Sequence, residues 1–398
     1  MSITSFSRSE EGNVVLLREK MEREAWYSLF FSRFAGFTTK DKVDGSLIPS
    51  GSPIEILRDF AAEGSDSMLL AMLKRLTGTG VSGDAQLKGN EERMNVYYQK
   101  VYINQKRHGT KVGGRISNQR MKKFNLIAKA QPLLSDWLAQ WMEFNFLYTF
   151  FHGYSPHILE NITTGGLYIT SGQKICHPNF YCAGSGFSTW NATAATYEGT
   201  LDDDVSGVTD TSTDHLSCEL LEDLRVQTIT KKIMPMVSKE GIEFWPMLIH
   251  PQAAKQLRKD SDWKNAQKDA RIRGVNNPLF TGALGEYAGF VLYERMMMPG
   301  IYPAGTSSSV TIGATNPLSA LDTYDRKMGL IFGRGAIAHG WALGPYIDED
   351  DEDYKNNKGV AIGIIGGSAR AEYKDNSTDG SNTAVVNQSS IAFTTYSP

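Results

Sequence analysis

Three cysteines in 398 residues, Cys176, Cys182 and Cys218, are too few and of the wrong parity for a disulfide framework, which fits synthesis in a reducing compartment. No stretch approaches the roughly 18 uninterrupted apolar residues of a membrane-spanning helix. The opening MSITSFSRSEEGNVV carries acids where a secretory signal would carry its apolar core, so synthesis in a cytosol, away from any membrane, is expected. The Asn-x-Ser/Thr triplets at Asn161, Asn191, Asn376 and Asn387 then read as chance. Net charge is only -3, so whole-molecule electrostatics argues neither for nor against a nucleic-acid partner. Catalytic signatures are missing too: there is no GxSxG elbow, no HExxH and no Walker loop, and the seven histidines are scattered.

Two partial motifs fail on context. Gly78-Thr-Gly80-Val-Ser-Gly83 satisfies GxGxxG, but the following DAQLKGN is no helix and no βαβ unit precedes it, so no cofactor is expected. Cys176, Cys182, His215 and Cys218 are zinc-type donors, yet only the His215-x2-Cys218 spacing suits a site and Cys-x5-Cys is too wide. Buried free thiols are the expectation there, and neither an enzyme nor a metal centre is expected.

What is present is ordinary globular material: 41% hydrophobic and 21% charged residues, in a chain long enough for two or three domain-sized units. A helix over roughly Asn13 to Phe34, broken by the Gly/Ser/Pro-rich Gly45 to Pro53, reads as an arm tethered to a body. Met68 to Leu76 is apolar but too short to assign. Val96, Tyr98, Val101 and Ile103 alternate with polar residues, and Gly109, Gly113 and Gly114 give a returning limb freedom, so Thr77 to Asn118 reads as a long two-stranded loop projecting from the body.

Ile127, Ala130, Leu134, Trp137, Trp141, Phe144, Tyr148 and Phe151 recur at alternating spacings of three and four, the mark of one apolar helix face, with Pro132 starting or kinking the main body. Its role is read as core packing. Asp214 is a candidate N-cap for a helix to Val226, and Pro251 sits in the first turn of a helical region broken near Asp260 and ended at Gly274. Phe244 to Ile249, Phe290 to Tyr293, Gly359 to Ile365 and Ser390 to Thr395 read as strands, whereas the six carboxylates Asp348 to Asp353 lack a calcium loop's glycine and read as a solvated loop. The fold class is α+β.

Charge is unevenly spread. From Arg93 to Ser135 there are ten Lys or Arg and no Asp or Glu, while from Ser155 to Leu224 a single Lys174 faces ten acids. Tyr97, Tyr98 and Tyr102 interleave with the cations, so a surface for single-stranded nucleic acid is one reading. The preferred reading is self-association, in which a basic limb bearing Lys106, Arg107, Lys111 and Arg115 meets an acidic surface on the next copy, a heterologous contact that closes into rings.

Four segments carry a family likeness: LKGNEERM (Leu87 to Met94), GTKVGGRISNQRM (Gly109 to Met121), LIHPQAAKQLRKDSDW (Leu248 to Trp263) and, most specifically, NPLFTGALGEYAGFVLYE (Asn277 to Glu294). With the order of arm, extended loop, long helix and mixed body, the chain resembles the major capsid proteins of N4-type tailed bacteriophages, which have the HK97-like fold. The resemblance implies an N-terminal arm (1–65), an extended loop lying over a neighbouring subunit (66–118), a spine helix (119–155), a peripheral region with a loop insertion (156–239), an axial domain (240–345) and C-terminal strands of the peripheral domain (346–398). It further implies hexamers and pentamers in an icosahedral shell, assembled in the bacterial host cytoplasm with scaffolding, portal and decoration proteins. The shell would enclose double-stranded DNA held without sequence preference on its inner face. Lys88, near the loop tip, becomes a formal candidate for Lys-Asn cross-linking.

Overall fold

The computed structural model describes residues 29–37, 50–57, 67–73, 80–91, 96–112, 126–155, 177–191, 207–238, 241–269, 284–298, 325–352, 357–374 and 385–397, apart from isolated positions, with a few further strands of two or three residues. In chain order its principal elements are β1 (Ala35–Phe37), β2 (Ile54–Leu57), β3 (Ser67–Leu73), β4 (Val96–Tyr102), β5 (Asn104–Val112), α1 (Leu126–His152), β6 (Phe180–Cys182), β7 (Gly186–Ser188) and α2 (Cys218–Thr230). They continue with β8 (Glu243–Ile249), α3 (Pro251–Leu257), α4 (Ser261–Asp269), β9 (Gly285–Tyr287), β10 (Phe290–Glu294), β11 (Arg326–Phe332), β12 (Ile337–Glu352), β13 (Asn357–Arg370) and β14 (Ser390–Tyr396). Among the described residues no helix is long and apolar enough to cross a membrane.

The expected strands at Phe244, Phe290, Gly359 and Ser390 are all present, and the strands not foreseen include β2, β11 and the 16-residue β12. β8, β10, β11 and β14 belong to a ten-stranded sheet whose main path is β9-β10-β8-β11-β14-β6-β7. Both of its faces are covered. Phe244, Leu248, Val291, Tyr293, Met328, Leu330 and Phe332 enter one core, while Trp245, Met247, Ile249, Phe290, Leu292 and Ile331 enter a second beneath α2 and α3. Period-two alternation between two apolar environments is why EFWPMLI is apolar at almost every position.

Local signals in this half behave as the sequence dictates, with one correction. His250 caps α3 by accepting from the Gln252 N–H at 3.1 Å, Pro251 occupies the first turn, and the helical region breaks before Ser261. Ala288 (φ 50°) and Gly289 (φ 79°) form the two-residue turn between the antiparallel β9 and β10, the left-handed geometry that glycine tolerates best. Asp214, however, is not the cap of α2: Ser217 is, accepting from the Leu220 N–H at 3.3 Å. Asp214 instead accepts from the Thr209 N–H at 2.8 Å, tying down the preceding turn.

Helix α1 spans 27 residues, about 40 Å, and Pro132 lies inside it rather than at its start. The apolar stripe read from sequence is only partly the buried face. Trp137, Trp141, Phe144 and Tyr148 are half-buried, whereas Leu134, Leu138, Met142, Phe146 and Phe150, four apart, are buried. The cause is cover from more than one side: β13 and β12 pack on α1, and a 3-10 helix, Phe30–Phe34, packs on it as well. Both rows are therefore apolar, and periodicity alone selects the more aromatic one.

That 3-10 helix corrects the arm expectation for the end of span 1–65. Phe31 and Phe34 are buried against Phe146, Phe332 and Tyr293 in edge-to-face contacts at 5.3 to 5.7 Å. β1 and β2 then join a five-stranded sheet, ordered β1-β2-β12-β13-β5. The acidic run Asp348 to Asp353 is also corrected, since as far as Glu352 it forms the end of β12, paired with β13, instead of a loop.

The two-stranded loop needs a further correction. β4 pairs not with the returning limb but with β3, Val96 opposite Leu73 and Tyr102 opposite Ser67, so the apolar segment left unassigned is its partner strand. After Ile103 the chain enters β5, which pairs antiparallel with β13 from Asn104↔Gly366 to Val112↔Lys358. A buried polar node fixes the ribbon's base. The Gln99 amide donates to the Arg370 carbonyl and accepts from the Glu372 N–H at 2.9 Å, while the buried Arg370 guanidinium pairs with Glu372 and donates to the Phe150 carbonyl at the end of α1.

Candidate functional site

The basic limb is a strand, so its cations alternate between two faces. Residues paired across strands share a face, which gives the rows Arg107, Gly363, Tyr346; Gly109, Ala361, Asp348; and Lys111, Gly359, Asp350. The intervening rows carry Ile364, Ile362, Val360 and Ile347 into the core against α1. Lys106 and His108 are on that side, His108 stacking on Trp137 at 4.5 Å. Of the four expected contact residues, the structure brings Arg107 and Lys111 together on the open face, turns Lys106 to the helix side, and leaves Arg115 outside the described residues.

Arg107, Lys111, Asp348 and Asp350 line one shallow depression, with Gly109, Gly359, Val360 and Ala361 completing it. Adjacent strands lie about 4.8 Å apart, so the cationic wall on β5 and the acidic wall on β12 are about 10 Å apart across β13. Between them the floor lacks bulk: a Cβ placed on Gly359 would meet nothing nearer than 3.7 Å. At the upper end Tyr346 closes the trough by lying over Gly363 and accepting from the Gln105 amide. The two charged segments, 237 to 243 positions apart in sequence, thus share one sheet face. The arrangement is a bipolar slot, suited to a polar segment of mixed charge rather than to a uniformly anionic backbone.

The buried histidines serve structure. His177 Nδ1 accepts from the Asn179 N–H at 3.1 Å, so Nε2 carries the proton and donates to Ser390 Oγ at 3.1 Å. Trp341 Nε1–H donates to His339 Nε2, which leaves Nδ1 to donate to Ser368 Oγ at 2.7 Å. In both pairs the imidazole is a donor toward the serine, the wrong tautomer for a general base. Burial lowers the pKa of His152 to about 3 and that of His177 well below the usual value, and the Arg370 charge adds to both shifts.

Among the zinc-type donors, Cys182 lies buried in β6, and burial together with the Asp260 carboxylate pushes the Cys218 thiol up to about 12. His215 pairs with Asp210 at 2.9 Å, and Cys176 lies outside the described residues. No group of ligands among the described residues can hold a metal ion. The Tyr102 ring, one of those offered for base stacking, instead leans on Tyr154 at 6.0 Å. Lys88 is exposed in a turn at the ribbon tip, closed by the Asn90 N–H donating to the Leu87 carbonyl at 2.9 Å. The Gln99, Arg370 and Glu372 node had no signal in the sequence, because Gln99 lies 271 and 273 positions from its two partners.

A family model described as phage capsid protein matches residues 37–398. The chain is 24% identical over 387 residues to the major capsid protein of Pseudomonas phage KPP25, covering 95% of this chain and 94% of that protein. Among solved structures it is similar to the capsid of Ralstonia phage GP4, with TM-score 0.62, 21% identity, and 93% of this chain and 91% of that chain covered. It is also similar to the Cyanophage Pam1 capsid asymmetric unit, with TM-score 0.60, 17% identity and 92% of each chain covered.

Proposed function

This chain belongs to the phage capsid protein family, and from that premise we propose that it is the major capsid protein of a tailed bacteriophage, a shell subunit completed by contacts with its own copies. The α+β, HK97-like capsid fold expected from the resemblance is the fold found. Hexamers and pentamers of an icosahedral shell, assembled in the host cytoplasm around double-stranded DNA with scaffolding, portal and decoration proteins, complete the reading. The division into arm (1–65), extended loop (66–118), spine helix (119–155), peripheral region (156–239), axial domain (240–345) and C-terminal strands (346–398) belongs to the same proposal.

The observation that carries it is the open face of β5, β13 and β12, where Arg107 and Lys111 oppose Asp348 and Asp350. A self-complementary set of charges on one chain favours association with an identical chain. The nucleic-acid reading loses support, because carboxylates flank the very cations that would neutralise phosphates. A structural role without catalysis fits the donor-only tautomers of His177 and His339 toward their serines.

Negative-stain microscopy and sedimentation of the purified protein test the proposal. Rings or large uniform particles are expected, and a monomer that shifts single-stranded DNA with steep salt dependence is the outcome that overturns it. Reversing Arg107 and Arg115 together is expected to weaken capsomer contacts while leaving the monomer folded.

A further inference from the structure

We propose that Arg370, Glu372, His152 and His177 form an acid-sensitive latch, in which protonation of the two imidazoles frees the ribbon base and residues 177–179 from the end of α1 while the rest of the fold stays closed. The inference concerns the subunit itself and goes beyond the assembly reading, on which it does not depend.

The cluster lies where separate elements meet. His152 ends α1, Arg370 ends β13 of the five-stranded sheet, and His177 is held by Ser390 of β14 in the ten-stranded sheet. The ribbon reaches the same place through Gln99 on β4, which holds the Arg370 carbonyl and the Glu372 N–H. Main chain fastens α1 to it as well: the Arg370 N–H donates to the Gly153 carbonyl at 2.8 Å, and Gly153 turns the chain out of the helix at φ 90°. Arg370 is 1% exposed, His152 3% and His177 0%, so bulk water does not screen a charge placed here.

Neither imidazole has a place for a second proton. His152 Nδ1 faces the Tyr148 carbonyl at 3.2 Å and must donate to it, which leaves Nε2 as a buried lone pair with no hydrogen-bond partner among the described residues. A proton on Nε2 would be a buried N–H without an acceptor. His177 is filled the other way, since Nδ1 accepts from the Asn179 N–H and a proton there would set two donors against each other. Among the described residues the charge acting on both rings is the Arg370 guanidinium, and the carboxylate paired with it is Glu372. Burial first, and then Arg370, hold both imidazoles well below their usual range, so acid favours any state in which the rings reach water. Below pH 6.5 that open state gains about tenfold per pH unit for each histidine, or about thirtyfold for each at pH 5. Glu372, raised by burial, takes its proton more readily in the closed state and opposes the opening, one carboxyl against two imidazoles.

Hydrogen exchange on the purified full-length protein at pH 7 and pH 5 tests the latch. Protection factors across residues 96–102 and 177–179 are expected to fall at least about tenfold at the lower pH, while α2 keeps its own. His152→Gln with His177→Gln, which stays neutral at both pH values, is expected to remove most of that fall. Protection lost equally in α2 is global acid unfolding and overturns the inference, as does a local loss that persists in the double variant. Should that variant fail to fold, exchange at the histidine C2 positions of the wild-type protein decides, with the exposed His108 as internal reference. His152 and His177 are expected to exchange far more slowly than His108 at pH 7 and to gain on it at pH 5. A ratio that does not change between the two pH values overturns the inference.

Discussion

Lys111 and Asp350 lie in one row across three strands, with only Gly359 between them. The basic limb and the acidic block are neighbours on a single sheet face, and each tempers the field of the other. Neutralising the acidic wall should therefore unmask the basic one. Asp348→Asn/Asp350→Asn is expected to raise the affinity for single-stranded DNA severalfold and to steepen its salt dependence. Fluorescence anisotropy at several salt concentrations checks this; unchanged binding would mean the two walls do not sense each other.

The trough floor has two kinds of glycine. A Cβ on Gly363 would overlap the Tyr346 ring, whereas one on Gly359 reaches only ordinary contact distance at 3.7 Å. Gly363→Ala is expected to cost about 1–3 kcal/mol and Gly359→Ala less than about 0.5 kcal/mol. Denaturant melts of the two variants should separate clearly, and equal costs would contradict the placement of Tyr346.

On α1, burial rather than aromatic character should set the cost of truncation. Phe146→Ala, fully buried, is expected to lose about 3–5 kcal/mol, and the half-buried Phe144→Ala about half of that. Reversal of that order in equilibrium unfolding would return the core to the stripe suggested by periodicity.

At the ribbon base, Gln99→Leu removes the partners of the Arg370 carbonyl and the Glu372 N–H. A loss of about 1–3 kcal/mol is expected for each group left unsatisfied. Hydrogen exchange should accelerate across β4 while α2 keeps its protection. Exchange that stays unchanged near residue 99 would show that the node does not hold the ribbon.

Acid should destabilise the monomer from about pH 6.5 downward. Buried His152, lowered to about 3, and His177 stay neutral in the folded chain after their unfolded counterparts have gained protons. Their depressed values contribute stability that is complete above the unfolded pKa of roughly 6.5 and is lost progressively toward the folded value, on the order of 1.4 kcal/mol per pH unit for each. His152→Gln is expected to flatten the pH dependence of the melting temperature between pH 6.5 and 4. An unaltered slope would assign the acid sensitivity to other groups.

Local chemistry was legible without coordinates: Pro251 opening its helix, Gly289 in its turn and the long helix through Phe151. Each depends on contacts within a few positions of the residue, where spacing and side-chain type settle the geometry. The family likeness in Asn277 to Glu294 supplied the fold class in the same direct way.

Tertiary structure alone decided the neighbours. That β4 takes β3 rather than the basic limb, that Asp348 stands in a strand opposite Ala361, and that Leu138 rather than Trp137 fills the core all depend on pairings across tens to hundreds of residues. A strand's sequence states that it will pair and which side is apolar, but its backbone hydrogen bonds are the same for any partner. For β5, β13 and β12 the choice is made by the packing of their sheet against α1, and for β4 by the polar node that Gln99 makes with Arg370 and Glu372.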